Sequence, residues 1–290
     1  MMRPAAMTYL FSEAGLAALQ GFVDSQTLYA FDLDGTLAPI AADPGGIRVP
    51  DAVQEALARL KQRALVAVIT GRSRKDAQRH LQVVPQYLVG NHGAEGLPGW
   101  EEREGEFRCF ADEWERQLSG ILPGREIPGI VVENKGMSLS VHYRGAPDRA
   151  AARSRVLNAI SRLVPEPRVI GGKYVENLLP GEAPGKGTAL LQLMARAGSE
   201  KGFFVGDDQT DEDVFQLDGD RLFTVRVGIG KKSRARYFLR GQREIPLLLR
   251  HINDSLARRG AVRKPEGAAA GTRNAGSARG ASFTGAEESG

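Results

Sequence analysis

The chain has 290 residues, 42% hydrophobic and 26% charged, with a formal net charge of +4. That is a globular composition with room for one large or two modest domains. The single cysteine, Cys109, excludes an internal disulfide and fits a reducing, cytoplasmic setting. From Arg258 onward there are six basic and three acidic residues, so three of the four net charges lie at the C-terminal end. The near-neutral remainder offers a polyanion no footprint, and no apolar run is long enough for a membrane span, so neither nucleic acid nor membrane is an expected partner.

In chain order, the opening stretch MMRPAAMTYLFSEAGLAALQGF meets Ser12 and Glu13 too early for the apolar core of a leader peptide. Short apolar runs then alternate with amphipathic stretches. LYAFDLD, ALVAVIT and YLVG read as strands; DAVQEALARLKQR and SRKDAQRHLQ read as helices. From Glu101 to Leu179 the pattern changes. GIVVENKGMSLSVHYR reads as a hairpin, RAAARSRVLNAISRLV as a helix, and PRVIGGKYVENLLP as a second strand pair. The earlier alternation then resumes, with the helix GKGTALLQLMARAG, the strand GFFVGD, the helix TDEDVFQLD and the strand FTVRVG. Strands without polar alternation, separated by helices, predict a parallel sheet covered on both faces. The expected fold is therefore α/β: a Rossmann-like parallel-sheet core in two segments (1–100 and 181–257) carrying an inserted α+β cap (101–180). The Gly/Ala/Ser-rich remainder, 258–290, lacks the apolar content to order itself and is expected to be a disordered tail.

Ligands of such sheets bind beyond the carboxyl ends of the strands, where Asp32, Thr70 and Asp207 fall. In Asp32-Leu33-Asp34-Gly35-Thr36, one carboxylate can attack phosphorus while the other serves the leaving oxygen and then water, with Gly35 allowing the tight turn. A calcium loop fails as an alternative for want of a third ligand and a closing glutamate. Thr70, Gly71 and Arg72 can present a hydroxyl and backbone N–H groups to a phosphoryl oxygen, although a plain strand cap fits equally well. Lys186, between two glycines at a helix start, can set an ammonium against a phosphoryl group or remain merely solvated. Asp207, Asp208 and Asp211 suit a helix N-terminus, yet two acids directly at a strand end exceed what capping needs. With Asp32 and Asp34 they form an oxygen-ligand set for a hard cation, Mg²⁺, which makes the crowded carboxylates tolerable.

These four motifs, in this order and at strand ends, resemble those of the haloacid dehalogenase superfamily, in its branch with a cap between the second and third motifs. GNHGAE (Gly90 to Glu95), VENKGMSLSVHYR (Val132 to Arg144), the lysine motif at Lys186 and GDDQTDEDVF narrow the resemblance to trehalose-6-phosphate phosphatases, over most of Tyr29 to Leu239. The resemblance implies a Mg²⁺-dependent phosphomonoesterase acting on a small sugar phosphate. Asp32 would be the nucleophile, Asp34 the general acid/base, and Lys186 the phosphate-binding lysine. Asp32, Asp34 (through its backbone carbonyl), Asp207 and Asp208 would hold or border the metal. Thr70, Gly71, Arg72, His92, Glu133, Lys135, Arg144 and Asn177 would meet the substrate. Glu133 and Lys135, two apart, share one strand face, which alone would equally suit a solvated surface. One departure stands out: aligned on Pro180, Asn177 occupies the position where the family often carries a sugar-binding glutamate, and Leu179 that of a basic residue. Glu176 would project from the opposite face. Three other readings remain open at this stage: a phosphatase for a glucosyl- or mannosyl-phosphoglycerate or sucrose phosphate, a sugar phosphotransferase or mutase, and a regulatory protein using its basic tail. No motif bears on oligomeric state.

Overall fold

Residues 7–41, 46–122, 128–217, 219–230 and 232–262 are described by the structure, a computed structural model. A two-residue strand, β1 (Thr8–Tyr9), leads into α1 (Glu13–Phe22), whose first turn is capped where the Ser12 hydroxyl accepts the Gly15 N–H. β2 (Leu28–Phe31) is buried along its whole length, as its uninterrupted apolar sequence requires. α2 (Asp51–Lys61), β3 (Leu65–Ile69), α3 (Arg74–His80) and β4 (Tyr87–Val89) follow. The long helix α4 (Glu101–Ile121) opens the insertion. After it come the hairpin β5 (Val131–Asn134) and β6 (Leu139–His142), the helix α5 (Arg149–Ile160), and the pair β7 (Arg168–Gly172) and β8 (Val175–Leu179). The chain returns through α6 (Lys186–Ala197), β9 (Gly202–Gly206), a four-residue α7 (Glu212–Phe215), β10 (Leu222–Val227), β11 (Tyr237–Leu239) and α8 (Ile245–Val262).

Seven strands pair in the order β1-β11-β10-β9-β2-β3-β4, every pair parallel. The α/β class expected from the sequence is the observed one. Alternate residues of β2 serve different cores: Tyr29 and Phe31 join Phe203 beneath α1, α2 and α8, while Leu28 and Ala30 join Phe204 beneath α6 and α7. Both faces of the sheet are thus dry, which leaves its strand ends as the place for polar chemistry.

The other four strands form an antiparallel sheet, β5-β6-β8-β7. Leu139, Val141 and Leu178 pack under Trp114 and Leu118 of α4 and Val156 and Ile160 of α5. The opposite face carries, in register across the sheet, Glu133, Ser140, Asn177 and Ile170. Glu176 lies on the helix side, as expected, and accepts from Arg153 Nε (2.8 Å) and the Tyr143 hydroxyl (3.1 Å).

Three helices were not evident in the sequence, α1, α4 and α8. α8 also continues past residue 258, the expected start of the tail. Its stripe Ile245, Leu248, Leu249, Ile252 and Leu256 seals the sheet, and Arg259 Nη2 donates to the Gln20 carbonyl at 2.6 Å, holding the last turns in place. The rest of the expected tail lies outside the described residues. Among the described residues no helix is long and apolar enough to cross a membrane.

Candidate active site

Asp32 follows directly on the interior strand β2, next to the central β9, and its backbone N–H still donates to Val205 O of β9 (2.9 Å). Its buried side chain therefore stands at the middle of the sheet's carboxyl edge. The next turn closes tightly, with Gly35 N–H donating to Ala38 O (2.8 Å) and Ala38 N–H to Leu33 O (2.8 Å). Gly35 has φ +77°, and a methyl group there would lie 2.1 Å from Asp207 Oδ2. Only glycine satisfies both the backbone and the neighbouring carboxylate.

Lys186 opens α6, and its buried Nζ donates to Asp32 Oδ1 and Asp211 Oδ1, each at 2.7 Å. Burial alone would discharge this ammonium, but the Asp211 and Asp32 carboxylates outweigh it and hold its pKa above the ordinary lysine value. Burial raises the Asp32 carboxyl well above its usual range, despite Lys186, with Asp211 and Asp207 adding to the effect. Asp207 is pushed up to about 7 by burial and by the charges of Asp211 and Asp208. Oxygens of Asp32, Asp207 and Asp211 all lie within 4.8 Å of one another. Three carboxylates around one ammonium leave an excess of acidic groups at the floor of a cavity. An oxygen-rich, charge-starved set of this kind fits a hard divalent cation.

The expected metal set was Asp32, Asp34, Asp207 and Asp208. Asp32 and Asp207 are together, and Asp211, expected only as a neighbour of the metal, has an oxygen in the same cluster. Asp208 leaves the strand end facing solvent, and its backbone N–H donates to Asp211 Oδ2 (2.9 Å), which turns the Asp211 side chain back toward Lys186. Asp34 was expected to reach the metal through its backbone carbonyl, not its side chain. Its carboxylate is held by Arg72, whose Nε and Nη2 grip the two oxygens at 2.6 and 2.7 Å, while Arg72 Nη1 reaches Asp76 Oδ2 at 2.6 Å. This bidentate fork fixes Asp34 in orientation as well as charge.

Thr70 sits behind the cavity wall, its hydroxyl accepting the Arg72 N–H at 3.2 Å, while Gly71 and Arg72 line the wall itself. His92 has left-handed backbone (φ +58°), and its ring lies so close to Gly71 that a methyl there would come within 2.4 Å of Cε1. Burial, with Lys186 and Lys135 nearby, drives its pKa well below the ordinary histidine value, so the ring is neutral. Its buried Nδ1 has no hydrogen-bond partner among the described residues, and the ring lines the cavity.

The insertion's sheet roofs this edge. Lys135 Nζ approaches Gly71 O at 3.4 Å, and burial lowers its pKa, opposed by Glu133. Glu133 Oε2 lies 2.8 Å from His142 Nε2, a hydrogen bond that holds the carboxyl below its ordinary range. Arg144 is at the rim, with Nη2 3.5 Å from Lys173 O. Asn177 is buried and tied across the sheet: Oδ1 accepts from Ser140 Oγ (2.6 Å) and Nδ2 donates to Ile170 O (3.2 Å). One cavity of about 420 Å³ joins Asp32, Asp34, Lys186 and Asp207 below to Glu133, Lys135, Arg144 and Asn177 above, within the size range of small-molecule sites. Sequence reasoning did not single out Asp76 or His142. The alternation of Ser140 and His142 along β6 with the buried Leu139 and Val141 carried the signal for the histidine.

A parallel α/β core gathering carboxylates at its strand ends beneath an inserted antiparallel cap defines the haloacid dehalogenase type of fold. Comparison with known proteins agrees. The trehalose-phosphatase family model matches residues 30–241, and the chain belongs to that family. It is 30% identical over 253 residues to a trehalose-phosphate phosphatase of Mycolicibacterium paratuberculosis, a match covering 78% of this chain and 64% of that relative's length. Among solved structures, the Aspergillus fumigatus trehalose-6-phosphate phosphatase superposes with a TM-score of 0.58 at 25% identity, covering 86% of this chain and all of that one. The C-terminal domain of the Candida albicans trehalose-6-phosphate phosphatase gives a TM-score of 0.63 at 20% identity, covering 86% of this chain and 99% of the other.

Proposed function

We propose that this chain is a Mg²⁺-dependent phosphomonoesterase that converts trehalose 6-phosphate to trehalose and phosphate. The observation that carries this reading is the buried Asp32–Lys186 contact, inside a carboxylate cluster that shares one cavity with the polar face of the cap. Family membership supports the substrate, and the single cysteine supports a reducing, cytoplasmic setting.

An Asp32 oxygen attacks phosphorus, and the bond from phosphorus to the sugar oxygen breaks as Asp34, protonated from solvent once the substrate frees one of its oxygens from Arg72, gives that oxygen its proton. Asp34, held by Arg72, then takes a proton from water. The resulting hydroxide attacks phosphorus and breaks the Asp32–phosphorus bond, releasing phosphate and restoring Asp32. Lys186 and the backbone at Gly71 and Arg72 stabilise charge on the phosphoryl oxygens. Asp32, Asp207 and Asp211 would hold the Mg²⁺, which when bound supplies positive charge against the phosphoryl group and the carboxylates around it. Glu133, Lys135, Arg144 and His92 orient the sugar phosphate, and the cap excludes bulk water.

A second reading within the same chemistry, a different sugar phosphate, is favoured by one observation. Asn177 has an oxygen and a donor already engaged by Ser140 and Ile170, which leaves it less to offer a sugar than a glutamate at that position would. Phosphate release from a panel of sugar phosphates, with Mg²⁺ and with chelator, separates the two. Saturable, Mg²⁺-dependent turnover of trehalose 6-phosphate well above the rest is expected. Preference for another member assigns the second reading, and release from none overturns both.

A further inference from the structure

The loop Gly90–Glu95 follows β4 and holds two consecutive non-glycine residues in left-handed backbone, Asn91 (φ +48°) and His92 (φ +58°). Such conformations persist only where the surroundings enforce them. Here the backbone is laced to the phosphate-side loop after β3: Asn91 N–H donates to Arg72 O (2.7 Å) and His92 N–H to Thr70 O (2.9 Å). The Asn91 side chain reaches the other way and is fully buried. Its Nδ2 donates to Glu95 Oε2 (2.8 Å) and to the Lys135 carbonyl (3.2 Å), and its Oδ1 accepts from Ser138 Oγ (2.6 Å). The reverse amide orientation would set an oxygen against a carboxylate and a carbonyl, so the contacts define the orientation. Glu95 continues the chain by accepting the Arg74 N–H at the start of α3 (2.7 Å). Lys135 and Ser138 are the two ends of the turn joining β5 to β6, closed by Lys135 N–H donating to Ser138 O (2.9 Å).

We propose that Asn91 is a positioning residue that fastens the tip of the cap hairpin, and with it Lys135, onto the phosphate end of the cavity. One amide clasps both ends of the turn, and the same loop is bonded to the segment carrying Gly71 and Arg72. The distance between Lys135 and the phosphate-side backbone is thereby set by Asn91 rather than by the cap as a whole. The consequence for catalysis rests on Lys135 meeting the substrate, as in the proposed function. The clasp itself does not.

The test uses the full chain with Asn91→Gly, Ser138→Ala, Lys135→Ala and the pair Asn91→Gly with Lys135→Ala. Glycine tolerates the left-handed backbone and removes only the amide, and Ser138→Ala carries the test if the first variant fails to fold. Steady-state kinetics are measured on trehalose 6-phosphate and on p-nitrophenyl phosphate, which has no sugar for the cap to hold. Amide hydrogen exchange is followed over residues 133–140. Asn91→Gly is expected to raise KM for trehalose 6-phosphate about tenfold while kcat, and turnover of p-nitrophenyl phosphate, stay within about twofold. Ser138→Ala should move KM in the same direction. Lys135→Ala should then add little in the Asn91→Gly background, since contacts in series are not additive. Exchange across the turn should accelerate about tenfold or more. Unchanged KM and exchange, an equal loss on both substrates, or multiplicative effects of the two substitutions overturn the proposal. Should the unaltered protein not turn over trehalose 6-phosphate, the proposed function fails, and exchange alone decides the clasp: acceleration upholds it and wild-type exchange overturns it.

Discussion

Asp207 is held between opposing demands. Its place beside Gly35 and Asp211 suits cation binding, yet burial and neighbouring acids push its pKa up to about 7. In the unfolded chain the same carboxyl titrates near 3.9. Between those values the metal-free folded protein binds a proton that the unfolded chain has released, so stability falls as pH rises through that window. The metal-free protein should therefore melt at a higher temperature near pH 5 than near pH 7.5, and millimolar Mg²⁺ at pH 7.5 should restore much of the difference. Thermal melts in chelator and in Mg²⁺ measure this. A melting temperature at pH 7.5 that ignores Mg²⁺ would contradict the assignment of the carboxylate cluster. Residue by residue, the site was legible where position along a strand decides placement: Asp32, Lys186 and Asp207 stand where an apolar run or a glycine-flanked helix start puts them. That the Asp211 side chain, rather than that of Asp208, turns in beside Lys186 was not legible, because it depends on which way one turn leaves β9 and on a single N–H bond to Asp211 Oδ2.

At the scale of elements, α4 is the clearest departure from the sequence pattern. Its buried residues Phe107, Ala111, Trp114 and Leu118 form one narrow stripe through an otherwise charged stretch, so the helical period is easily lost among the glutamates and arginines. α8 has a fuller stripe but follows two short strands and precedes the Gly/Ala/Ser-rich end, where the composition changes. Five of the seven core strands were legible because burial on both faces demands unbroken apolar runs; the short edge strand β1 and its neighbour β11 were not. The cap's strand pairs were legible because its sheet buries only one face. The stripe on α4 has an energetic consequence. Trp114 is fully buried, and its indole N–H donates to Pro165 O at 2.7 Å. Trp114→Ala should cost about 3–5 kcal/mol, the usual range for emptying such a site. Denaturant unfolding should show the loss, and a cost below about 1 kcal/mol would mean that this helix does not anchor the cap.

For the whole molecule, the parallel order β10-β9-β2-β3 makes one site out of residues far apart in the chain. Asp32 and Asp34 follow β2, Gly71 and Arg72 follow β3, Asp207 follows β9, and α6 brings Lys186 back beneath them. The insertion between β4 and α6 adds a second sheet whose polar face closes the same cavity, so under the proposed function binding and chemistry come from different sheets. Residues of the core motifs, the hairpin motif and the GNHGAE loop line this one cavity, although each motif taken alone fits a cap, a solvated face or an ordinary turn. The central claim is that Asp32 carries the phosphoryl group. Asp32→Asn keeps the shape of the side chain and removes the nucleophilic charge, and circular dichroism with thermal melting checks that the fold survives. Phosphate release from trehalose 6-phosphate in saturating Mg²⁺ is the direct measurement. The account predicts a folded protein with turnover reduced at least about a thousandfold; near-normal turnover by that variant would contradict it.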